Sequence, residues 1–98
     1  MSERQNSERA YAMAQSAISD LKAAVHLLLS QAPADGLKNI EIGKQLGIYM
    51  GHVEHEGHIP RTLLALMESE GVVEQDRATK HWRLVSLAQR RSPSDGTT

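Results

Sequence analysis

The hydrophobic period of this chain changes once, near Gly71, and that change restricts the folds open to it. From Asn39 to Leu46 the apolar positions Ile40, Ile42 and Leu46 fall on one side of a short helix, with Glu41, Lys44 and Gln45 on the other. Asn39 is of a type that caps helices, and Gly47 stands where a left-handed residue ends one. A Gly-marked loop, Gly47 to Gly57, leads to a second helical stretch, His58 to Glu70, with Ile59, Leu63, Leu66 and Met67 sharing a face. Past Gly71 the period drops to two. Val72 and Val73 open a strand, Asp76-Arg77-Ala78-Thr79 makes a turn, and Lys80 to Val85 returns with Trp82 and Leu84 inward and His81 and Arg83 outward. Helix, turn, helix and ribbon therefore follow one another within one short segment.

The rest of the chain must support that segment as a single domain. Its 98 residues are 40% hydrophobic with one Trp and no Phe, enough for a small aliphatic core. Without Cys there is neither a disulfide framework nor cysteine-ligated zinc. No apolar run approaches the roughly 18 residues of a membrane span, and Met1-Ser2-Glu3-Arg4-Gln5-Asn6 lacks a secretory core. A soluble cytoplasmic protein is the expectation.

Ahead of the central segment, residues 1 to 6 read as a polar, mobile end, and Ser7 followed by Glu8 as a helix start. Tyr11, Ala14, Ile18, Leu21, Val25, Leu28 and Leu29 then recur at helical steps. Either one helix continues to Ala32, or Ser19 or Asp20 caps a second one that runs through His26; Pro33 stops both. Ala34-Asp35-Gly36 is a turn, and Leu37-Lys38 fits a short strand.

With these elements in place, Asn39-Ile40-Glu41-Ile42-Gly43-Lys44-Gln45-Leu46-Gly47-Ile48 followed by Ile59-Pro60-Arg61-Thr62-Leu63-Leu64-Ala65-Leu66-Met67-Glu68-Ser69-Glu70-Gly71-Val72-Val73 resembles the helix-turn-helix core of bacterial winged-helix transcription regulators. In that family a helix ending Leu-Gly leads into a recognition helix, whose last turn reads Leu-Glu-x-x-Gly before an apolar pair that opens the wing. The resemblance covers roughly residues 18 to 85. It implies a mainly α fold with a small β-hairpin, a winged helix-turn-helix with an extra N-terminal helical extension. Residues 1–17 form that extension, 18–85 the winged-helix domain and 86–98 a flexible tail. This chain departs from the family in its turn, since Ile48 to Gly57 is several residues too long.

The resemblance implies a sequence-specific double-stranded DNA-binding protein, a transcriptional regulator that reads the major groove with His58–Glu70. His58, Arg61 and Thr62 reach phosphates or base edges, small Ala65 permits close approach, and Arg77 and Lys80 brace the wing on the backbone. Lys38, Lys44 and His55 complete the set of DNA-contacting candidates. Exposed Leu64 fits a thymine methyl or a protein interface. The surplus helix, Ala10-Tyr11-Ala12-Met13-Ala14-Gln15-Ser16-Ala17, is a candidate homodimer contact, with folding back on its own domain as the alternative.

Charge weighs against DNA. The net charge is -1, whereas proteins that grip phosphate are usually basic. Arg77 to Arg91 nevertheless holds five cations (Arg77, Lys80, Arg83, Arg90, Arg91) and no carboxylate, and Met67 to Asp76 holds Glu68, Glu70, Glu74 and Asp76 and no cation. A winged helix that binds protein, as an adaptor or accessory subunit, is the competing reading. His52, His55 and His58, with Glu54 and Glu56 between them, are of metal-ligating types, but their spacing matches no defined signature and loop histidines are the plainer account. No metal or cofactor is assigned. With no phosphate loop, nucleophile motif or paired carboxylates, the chain is not expected to be an enzyme.

Overall fold

A computed structural model describes residues 2–50 and 57–86. Three helices precede a two-stranded sheet: α1 (Glu3–Ser30), α2 (Asn39–Gln45), α3 (His58–Ser69), β1 (Val73–Gln75) and β2 (Trp82–Leu84). The start of the first helix is corrected, and of its two expected forms the continuous one is found. It starts at Glu3 rather than Ser7, so residues 3–6 are helical. The reason is a reciprocal cap: Ser2 Oγ accepts from the Gln5 N–H at 3.2 Å, and Gln5 Oε1 accepts from the Ser2 N–H at 3.4 Å. Ser7 has Ala10 three residues on and cannot close such a box. Nor does Ser19 or Asp20 interrupt the helix, which is a single element of 28 residues. At its end Ser30 Oγ donates to the Leu27 carbonyl at 2.7 Å, three residues before Pro33.

Gly36 fixes how the chain turns back. Its N–H donates to the Pro33 carbonyl at 2.8 Å, and its φ of 87° is left-handed, a region open to glycine. Leu37 then pairs with Trp82, donating to its carbonyl at 2.9 Å and accepting from its N–H at 2.7 Å. The expected strand at Leu37-Lys38 is this one antiparallel bridge.

α2 is capped by Lys38, not Asn39: the Glu41 carboxylate accepts the Lys38 N–H at 2.7 Å. Asn39 lies inside the helix and uses its amide differently, donating Nδ2 to the Gly57 carbonyl at 3.4 Å. Ile42 is buried, Leu46 half-buried, and Ile40 faces solvent against expectation.

The inward face of α3 also differs from the expected one. Pro60, Leu63, Leu64 and Met67 are buried, whereas Ile59 and Leu66 are 39% and 40% exposed. Leu64, expected outside, has no exposed surface. Both sets have helical spacing. Packing against α1 and the sheet selects the observed set, in which the Pro60 ring is an apolar contact as well as a first-turn residue without an N–H. Positions 60, 63, 64 and 67 make a contiguous stripe only when it is counted as core.

β1 and β2 pair antiparallel with Val73 opposite Leu84, Glu74 opposite Arg83 and Gln75 opposite Trp82. Val25, Leu29, Ile42, Leu63, Leu64, Met67, Val73 and Trp82 form the core, drawn from every element. Between α1 and α3, Lys22 Nζ lies 3.0 Å from Glu70 Oε2. His81 and Arg83, expected to face outward, are half-buried and each has a partner. His81 Nδ1 is 3.2 Å from the Asp35 carbonyl oxygen, and Arg83 Nε donates to Glu74 Oε2 at 2.8 Å.

The hairpin turn is built on Asp76. Its Oδ1 accepts the Ala78 N–H at 2.8 Å and the Thr79 N–H at 3.0 Å, while Lys80 closes the turn with a left-handed φ of 69°. The Thr79 N–H, then the Ala78 N–H, hold the Asp76 carboxyl below its ordinary value of 3.8. A depressed folded-state value means stabilisation that is present above 3.8 and lost as pH falls through the folded value. Asp76→Asn keeps an acceptor but removes the charge. The wild-type chain therefore melts above the variant at pH 6, and the gap closes as pH is lowered below 3.8; a gap unchanged at about pH 2 would contradict this assignment.

Candidate nucleic-acid interface

Burial of Pro60, Leu63, Leu64 and Met67 turns the opposite side of α3 to solvent, and the helical wheel puts His58, Thr62, Ala65 and Arg61 there. All four are exposed. Ala65 lies between Arg61 and Thr62 in projection, so the middle of this face is low and its borders are polar. Glu68 shares the Arg61 flank and is also exposed. Leu64 has no part in the surface, which removes the thymine-methyl and protein-contact roles expected of it.

Arg61 belongs to a cluster that its place in the sequence does not announce. Gly57 precedes α3 with φ of 88°, and a Cβ there would lie 2.8 Å from Tyr49 Cε1, 2.9 Å from Asn39 Nδ2 and 3.4 Å from Arg61 Nη2. Tyr49, Asn39 and Arg61 thus converge on one backbone point at the α2–α3 junction. From the other direction Lys44 Nζ sits 5.7 Å from the centroid of the Tyr49 ring, within cation–π range. Lys44 thus faces the Tyr49 ring, while Arg61 comes to the same junction beside Gly57. Tyr49 was the missed residue; its signal was an aromatic side chain five positions after Lys44 in a loop entering α3. Asn39 Oδ1 is buried and has no hydrogen-bond partner among the described residues.

The other expected contacts are more dispersed. Lys38 is exposed at the α2 cap. Arg77 and Lys80 are exposed at the hairpin turn, but Arg83 is held by Glu74, with Asp76 Oδ2 at 4.0 Å. The hairpin therefore offers two cations where the sequence counted three. His55 lies outside the described residues, as do His52, Glu54 and Glu56, so of the histidine constellation only His58 is placed, exposed at the start of α3. Among the described residues no group of three or more His, Asp or Glu side chains is arranged to hold a metal ion.

On the α1 side, His58 and Thr62 border a different feature. With Ile18, Leu21, Ile59, Leu63 and Leu66 they line an open groove of about 320 Å³ whose walls are almost wholly apolar. The residues that face outward from the core side of α3 are thus divided, polar on the solvent face and apolar toward α1.

No family model, characterised protein or solved structure matches the chain. The described residues form three helices and a small two-stranded antiparallel sheet, a mainly helical fold. Among the described residues no helix is long and apolar enough to cross a membrane.

Proposed function

We propose that this domain is a winged helix-turn-helix that binds double-stranded DNA and acts as a transcriptional regulator. The observation that carries the reading is the open polar face of α3, with Arg61 exposed on it and Lys44 of α2 exposed over the Tyr49 ring. The element order supports it: α2 and α3 serve as the helix pair, β1 and β2 as the wing, and Leu37 as the strand residue before α2. α3 enters the major groove by its N-terminal half. There Arg61 supplies two donors to one guanine, Thr62 and His58 contact phosphate or base edges, and Ala65 lets the helix axis approach. Arg77 and Lys80 on the wing, and Lys38 and Lys44 on α2, are point charges for phosphate and carry no sequence information.

Two substitutions separate these roles. Arg61→Ala lowers affinity for the preferred site by about 10- to 100-fold, the 1–3 kcal/mol of a bidentate guanine contact, and leaves affinity for unrelated duplex nearly unchanged. Arg77→Ala weakens both to a similar degree. Fluorescence anisotropy on a selected site and a scrambled one measures this, and equal losses from both substitutions on both duplexes would remove Arg61 from base reading.

A protein-binding module is the second reading, favoured by the apolar groove between α1 and α3 and by the single cation on the outward face of α3. In that case neither substitution alters retention of DNA in a gel at low salt.

A further inference from the structure

The apolar stripe of α1 does not stop where the domain does. Val25 is buried and Leu21 and Leu28 are half-buried against the core. Continued toward the N-terminus in alternating steps of four and three, the same line runs through Ile18, Ala14, Tyr11 and Ser7, all exposed. Some 15 residues of helix, about 22 Å at 1.5 Å per residue, carry this line past the packed region. The radius of gyration, 16.2 Å, exceeds the roughly 13 Å of a compact 100-residue domain accordingly. An isolated helix of that length is marginal in water.

The line also contains a knob and a hole. Tyr11 is 69% exposed and is the largest side chain on it. Seven to ten residues along are Ile18 and Leu21, which with Ile59, Thr62 and Leu66 wall the groove. When knob and hole lie on the same helix, a twofold axis midway between them puts each knob into the other copy's hole. That midpoint falls between residues 14 and 16. Ala14 is there on the same face, small enough for two helices to cross closely.

We infer that two copies of the chain pair antiparallel through the N-terminal halves of α1, with Tyr11 of each copy seated in the α1–α3 groove of the other. A second copy fits better than a strongly charged partner. Glu3, Arg4, Glu8 and Arg9 are the charges on this arm and they cancel, so the arm meets its own copy without net repulsion and offers no field to an acidic or basic ligand. Pairing leaves Arg61 and Ala65 uncovered on the far flank of α3, and it stands whether or not that flank binds DNA.

The absence of Cys makes the test direct. Sedimentation equilibrium of the full chain at tens of micromolar gives twice its 10.8 kDa mass. Tyr11→Glu, which alters only an exposed helical position, raises the dimer dissociation constant more than tenfold with helix content retained by circular dichroism. Ala14→Cys forms an interchain disulfide under mild oxidation, whereas Met13→Cys, about 100° round α1 from it and off the paired line, forms little. A monomeric wild-type chain, or a dimer indifferent to Tyr11→Glu, or cross-linking at residue 13 in preference to 14, each overturns the pairing.

Discussion

Leu64→Ala destabilises the domain by about 2–5 kcal/mol, and Leu66→Ala two positions away by less than about 1 kcal/mol. Leu64 has no exposed surface and lies among Leu63, Met67 and the rest of the core, so truncation leaves a cavity that neighbouring side chains from α1, α2 and the sheet cannot collapse to fill. Leu66 is 40% exposed and already open to water along the groove. Urea unfolding followed by the fluorescence of the one tryptophan, Trp82, reads both variants; submicromolar chain keeps any pairing through the groove out of the measurement. The opposite ranking would mean that α3 is rotated by roughly a quarter turn, with Ile59 and Leu66 in the core and the present solvent face displaced with them.

An equally large loss is expected from Gly36→Ala. A Cβ at this position would come 2.0 Å from the Trp82 carbonyl oxygen and 2.8 Å from its carbonyl carbon. No rotamer relieves the clash, because the obstacle is backbone. The left-handed φ adds strain of its own, and restoring clearance breaks the reciprocal Leu37–Trp82 hydrogen bonds that tie the turn after α1 to β2. Together these amount to about 3 kcal/mol or more, a large share of the stability of a domain this size. Gly71→Ala is the control. Its φ is 78° but no atom lies within 4 Å of the added methyl, so it costs only the left-handed conformation, about 1 kcal/mol. Similar losses at the two glycines would show that the Leu37–Trp82 bridge contributes little.

The change of period near Gly71 was sufficient to place α2, α3 and the hairpin, and the Asp76 turn followed from its residue types. What the sequence left open were choices between two equally periodic faces. Positions 59, 63, 66 and 67 and positions 60, 63, 64 and 67 both satisfy helical spacing, and only packing against α1 and the sheet selects the second. At the N-terminus the start expected at Ser7 is overturned: Ser2 is also a capping residue, and Gln5 decides for it by completing the reciprocal bond. The surface cations could be counted but not apportioned. Arg83 alternates outward as expected, yet Glu74 directly opposite in register takes its guanidinium. Lys44 and Arg61, 17 positions apart, are both brought to the α2–α3 junction, Lys44 over the Tyr49 ring and Arg61 beside Gly57. That convergence depends on tertiary approach, which no local pattern encodes.

The arrangement of α3 has a consequence for partner choice. Its polar flank and its apolar flank meet at His58 and Thr62, so these two residues serve whichever surface is occupied. Arg61 belongs to the polar flank alone, and a defect confined to Arg61→Ala therefore isolates that flank from the pairing surface.

The salt dependence of duplex binding tests the assignment to DNA most directly. With the affinity for duplex DNA measured by anisotropy between about 50 and 200 mM salt, the logarithm of the association constant falls linearly with the logarithm of salt concentration, and Lys44→Ala and Arg77→Ala each lower the slope by about one unit. No detectable association at 50 mM salt, or an association whose slope is the same in both variants as in wild type, would contradict the assignment of this surface to DNA.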